Sequence, residues 1–70
     1  MEVSFHAAER FLQRVLNKKN YNFKDIVDTK KNLEVLFKDV VVNRSRVVIP
    51  KFQKFVGILK GKKVVTIIKK

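Results

Sequence analysis

The chain has 70 residues, no cysteine, one histidine and 17 Lys and Arg against 6 Asp and Glu, for a formal net charge of +11. A chain of that length makes one domain, residues 1–70, and buries only about 60% of the surface its unfolded form exposes. Disulfides and thiolate metal sites are excluded, and one histidine with six carboxylates gives no pattern for a metal site or a cofactor.

The first amphipathic element is a helix over Val3–Asn17. Ser4 is a suitable N-cap, and Ala8, Phe11, Leu12, Val15 and Leu16 repeat at i, i+3, i+4, i+7 and i+8 on one stripe. His6, Glu9, Arg10, Gln13, Arg14 and Asn17 occupy the opposite face. The segment Asn17–Asn22, NKKNYN, breaks the helix with asparagines and charge. A second helix starts at Asn22, with Asp25 in its first turn and Phe23, Ile26 and Val27 as its inward stripe, and ends near Lys31. The run Leu33–Val42 suits a strand, since Val40, Val41 and Val42 are β-branched.

Val40–Asn43 and Arg46–Ile49 flank Asn43-Arg44-Ser45 and read as a hairpin, with Pro50 at a strand end or edge. The densest apolar stretch follows: Phe52–Leu59 and Val64–Ile68 enclose a short basic segment containing Gly61, the signature of a second hairpin. The fold expected is therefore α+β, with two N-terminal helices packed on a four-stranded antiparallel sheet. Simple alternation sends Val64, Thr66 and Ile68 to one face and Val65, Ile67 and Lys69 to the other. In the strand before it, Phe52, Val56 and Ile58 oppose Phe55 and Leu59. Two short helices cover one face, so apolar surface is left over for a homodimer or another protein partner, unless the sheet curls around its own interior.

The charge points to a polyanion, and RNA or another nucleic acid is the commonest in cells. Lysines that only keep a small protein soluble are the plainer alternative. No apolar run approaches a membrane span, and MEVSFHAAER lacks the apolar core of a signal peptide, so a cytoplasmic protein without a membrane partner is expected. His6, Arg10 and Arg14 recur every four residues along one helix flank. Such a row can bind phosphate and move a proton, as metal-independent RNA cleavage requires: a base takes the 2′-hydroxyl proton and cations stabilise the charge on phosphorus. The same row is also an ordinary solvated face. Lys60, Lys62 and Lys63, beside Gly61, can reach phosphates, and Tyr21 can stack on a base or pack over the helix junction.

His6-Ala7-Ala8-Glu9-Arg10 followed by Gln13-Arg14, together with the ending Val64-Val65-Thr66-Ile67-Ile68, resembles the RelE/ParE-type toxins of the barnase–EndoU–colicin–RelE group. Those domains begin with His-Ala-x-x-Arg-x-x-x-Arg and end on a strand close to Val-Val-Thr-Val. NKKNYN stands where the family has a tight Arg-Gly-Ile transition, and Lys69-Lys70 replaces its aromatic or histidine tail. The resemblance implies two helices on an antiparallel sheet, His6, Arg10 and Arg14 as active-site residues, and Thr66 facing the substrate. It also implies an acidic antitoxin on the spare apolar and basic surface. Three functions follow as expectations: a metal-independent endoribonuclease, a non-catalytic nucleic-acid-binding module, or a ParE-like toxin acting on a protein.

Overall fold

The computed structural model describes residues 1–40 and 45–70. Strand β1 (Glu2–Val3) leads into helix α1 (Phe5–Arg10), which continues as a π-helical turn (Phe11–Val15). Helix α2 (Phe23–Leu36) and strands β2 (Arg46–Ile49), β3 (Phe52–Lys60) and β4 (Lys63–Lys69) follow. The strands form one sheet in the order β1-β4-β3-β2. β2, β3 and β4 are successively antiparallel, but β1 runs parallel to β4, pairing Glu2 with Lys63 and Val3 with Val64. The all-antiparallel sheet behind two leading helices is thus corrected to a mixed sheet whose first strand precedes the helices. Two residues carry no periodicity, so β1 leaves no pattern to read.

Ser4 joins this strand to both neighbours. Its N–H donates to the Val64 carbonyl (2.9 Å), its hydroxyl donates to the Val65 carbonyl (3.2 Å), and the same hydroxyl accepts from the Ala7 N–H (2.9 Å) as the N-cap of α1. The other edge of β1 is satisfied by a side chain, because the Val3 N–H donates to Glu34 Oε2 at 3.0 Å. At its far end the first helix closes on Asn17, whose φ of 58° lets the Lys18 N–H reach the Leu12 carbonyl at 2.8 Å.

Helix α2 begins as expected at Asn22, where Asn22 and Asp25 exchange side-chain to backbone bonds in a capping box. It runs on past Lys31 to Leu36, which corrects both the expected end and the strand expected from Leu33. Thr29, Leu33 and Phe37 recur every four residues and are all buried, so the buried stripe continues one turn at a time. The interruptions at Lys30 and Glu34 are an ion pair of 2.8 Å on the flank of that stripe. Phe23 does not face inward: it is 65% exposed. The strand and turn expected around residues 40–45 fall largely on residues 41–44, outside the described residues.

The β3–β4 hairpin forms as read, with Gly61 at φ 66° in its turn. Its register slips between Ile58, which pairs with Thr66, and Leu59, which pairs with Val64, leaving Val65 as an extra residue. The bulge changes which side chains face the helices. Val64 and Ile67, an odd number of residues apart, are both wholly buried in the core. The expected alternation along this strand is corrected accordingly, and Phe52, Phe55 and Leu59 all belong to the helix-covered side.

That side holds one core of Val3, Ala7, Phe11, Leu33, Phe37, Val47, Ile49, Leu59, Val64 and Ile67. Phe52 meets Phe11 edge to face at 5.3 Å. The outer face carries Val48, Val56, Ile58, Thr66 and Ile68, in cross-strand rows Arg46–Ile58–Thr66 and Val48–Val56–Ile68.

Candidate nucleic-acid interface

On α1, His6 and Arg10 are neighbours one turn apart. Arg10 Nε–H donates to His6 Nε2 at 3.3 Å and Arg10 Nη1 donates to Gln13 Oε1 at 2.7 Å. Gln13 Nε2 donates to the Tyr21 hydroxyl, which donates to Glu9 Oε2 at 2.9 Å. One chain of hydrogen bonds therefore runs from His6 to the loop between the helices. Partial burial first, then donation to Glu9, pushes the Tyr21 phenol above its ordinary value of 10.0. Tyr21 thus fastens the interhelical loop to α1 through its hydroxyl.

Arg14 leaves the row. In the π-helical turn the Leu16 N–H bonds to the Phe11 carbonyl (3.2 Å), five residues back, so the turn is wider than an α-turn. Arg14 Nη1 instead donates to the Ile67 carbonyl of β4 at 2.7 Å. β1 pairs with β4 at Lys63 and Val64, so among the described residues no strand lies beside β4 at Ile67 on that edge, and the guanidinium supplies a donor there.

Thr66 lies on the far side of the sheet. Its neighbour Ile67 faces the core, so Thr66 faces outward in register with Ile58. Of the four candidate catalytic residues, His6 and Arg10 meet, Arg14 is committed to β4, and Thr66 is separated from them by the sheet. Lys60, Lys62 and Lys63 are exposed around the β3–β4 turn, with Lys63 Nζ 3.7 Å from Glu2 Oε1. A shallow depression at the β2–β3 turn, lined by Lys51, Phe52, Gln53, Lys54 and Phe55, contains none of the candidates.

The electrostatics are one-sided. Among the described residues there are two ion pairs, Lys30–Glu34 and Lys63–Glu2, so most of the cations face solvent without an acidic partner. No three His, Asp or Glu side chains converge among the described residues, and no helix there is long and apolar enough to cross a membrane. Two residues that the sequence reading did not place among the functional candidates stand out. Phe5 and Phe23 are 49% and 65% exposed, with ring centroids 5.5 Å apart. The signal was available: each directly follows an N-cap residue, Ser4 or Asn22, where a side chain is at the helix end rather than along its buried stripe.

No family model, curated protein or solved structure matches the chain. The resemblance to RelE/ParE-type toxins rests on the residue pattern alone.

Proposed function

We propose that this protein binds nucleic acid, RNA foremost, as a non-catalytic module. The observation that carries this reading is the excess of 17 cations over 6 acids, distributed on both sides of the molecule and little neutralised internally. Phosphate contacts from such a surface release counterions and give affinity without requiring a catalytic pocket. His6 and Arg10 border one side, and Arg46, Lys60 and Lys62 the other. The test is binding of labelled single-stranded RNA at several salt concentrations. Tight binding at low salt that weakens steeply with added salt supports the reading, and no binding at low salt refutes it.

A metal-independent endoribonuclease is the second reading, favoured by the Arg10–His6 contact at 3.3 Å. In it, the His6 ring, once released from Arg10, takes the 2′-hydroxyl proton while Arg10 stabilises the charge that develops on phosphorus. Neither Arg14 nor Thr66 adds to that pair, which is why binding without cleavage is preferred. Incubating RNA with the protein in the presence of a chelator separates the two readings. An acidic protein partner on the outer sheet face would compete for the same charges, and displacement of bound RNA by such a partner would reveal it.

A further inference from the structure

We infer that Phe5 and Phe23 form a platform on which an unpaired base of the bound strand stacks; this rests on the nucleic-acid reading above. Aromatic rings left largely in water forgo the stabilisation that burial brings, and these two sit side by side, 5.5 Å apart and tilted by 42°. Each ring is held at the first position of a capped helix, by Ser4 in one case and the Asn22–Asp25 box in the other. The pair is therefore anchored by rigid elements.

Lys30 Nζ stands 5.7 Å from the centroid of the Phe5 ring and is itself bonded to Glu34. Phe5 is thus braced by both Phe23 and Lys30, while Phe23, the more exposed ring, is the open end of the stack.

The surroundings favour a phosphate-bearing ligand. His6 and Lys24 adjoin the two rings in sequence, and both are exposed. The nearby carboxylates are engaged: Glu9 accepts from Tyr21, Asp25 from the Asn22 N–H, and Glu34 from Lys30 and Val3. A second copy of the chain is a poor occupant. It would bring the same +11 charge to the seam, and two rings supply far less than the roughly 1,200 Å² that stable protein interfaces bury. A nucleobase matches one ring in area and stacks on it in a sequence-tolerant way. Bases in a duplex have both faces covered, so the platform also implies preference for single strands.

The experiment compares wild-type protein with Phe23→Ala, Phe23→Leu and Phe23→Tyr by fluorescence anisotropy. The probes are labelled oligouridylate, an abasic strand of equal length and a duplex. Wild type is expected to prefer oligouridylate over both other probes. Phe23→Ala and Phe23→Leu should weaken oligouridylate binding roughly 5- to 150-fold with little change on the abasic strand, and Phe23→Tyr, which keeps a ring, should retain it. Leu keeps the apolar bulk, so loss there does not reflect misfolding. Equal wild-type affinity for oligouridylate and the abasic strand overturns the platform alone, as does an equal loss on both in the variants. Failure of wild type to bind either strand overturns the platform together with the nucleic-acid reading.

Discussion

The guanidinium of Arg14 donates to the carbonyl oxygen of Ile67 at 2.7 Å, so a residue whose spacing suggests a phosphate contact is spent on joining the first helix to the last strand. Charge-assisted hydrogen bonds to backbone carbonyls stabilise by about 1–3 kcal/mol when partly shielded, less where water competes. Arg14→Ala is expected to cost about 1–2 kcal/mol and to lower Tm by roughly 5–15 °C in a chain of this size. Thermal denaturation followed by circular dichroism checks it. A variant that loses RNA affinity while keeping its Tm would return Arg14 to the binding surface.

Glu34 ties α2 to β1 and responds to acid. Its carboxylate accepts from Lys30 Nζ (2.8 Å) and from the Val3 N–H (3.0 Å), and these two bonds, in that order of size, hold its pKa below the ordinary 4.5. A carboxylate depressed in the folded state stabilises it above the unfolded value, and that contribution disappears as pH falls through the folded value. Glu34→Gln should therefore be less stable than wild type by about 1 kcal/mol at neutral pH. The gap should close as the pH drops below about 4. Equal stabilities at pH 7, or a gap that widens in acid, would contradict this role.

Gly57 is required by its neighbours in the core. A Cβ built there would stand 3.0 Å from Val64 Cγ1 and 3.3 Å from Val47 Cγ1, both side chains of the packed interior. Gly57→Ala is expected to destabilise by about 1–3 kcal/mol through overpacking, less any gain from stiffening the unfolded chain. Adding Val64→Ala should make the two changes non-additive, because the second removes the methyl group the first collides with. Strict additivity in chemical denaturation would show that the strand shifts instead.

The elements with strong local chemistry were legible. Ser4 caps α1, Asn22 and Asp25 open α2, and Gly61 turns the last hairpin, each by a mechanism confined to a few residues. What was hidden depends on tertiary context. β1 is too short for a pattern, and the extra residue Val65 turns Ile67 to the same side as Val64 where simple alternation separates them. The π-helical turn redirects Arg14, which an unbroken α-helix would keep in line with His6 and Arg10. Helix α2 continues past Lys31 because Leu33 and Phe37 keep its buried stripe while Lys30 and Glu34 pair on its flank. Phe23 faces water although its hydrophobicity argues for the core.

His6 separates binding from cleavage. If the module only binds, His6→Ala changes RNA affinity by less than about threefold, in line with the loss of one exposed contact. Wild-type protein then leaves labelled RNA intact in the presence of a chelator, as seen on a denaturing gel. Chelator-resistant cleavage by wild type that vanishes in His6→Ala would establish the nuclease reading.

The most direct measurement is the dependence of RNA affinity on salt. Labelled oligouridylate is titrated with the protein from 50 to 200 mM salt, and log Kd is plotted against log salt concentration. Each phosphate neutralised on a single strand adds about 0.7 to the slope, so four contacts weaken binding roughly 50-fold across that range. A steep linear dependence of this kind is the expected result. Binding that hardly changes with salt, or no binding at 50 mM, would contradict the claim that uncompensated lysines and arginines hold the ligand.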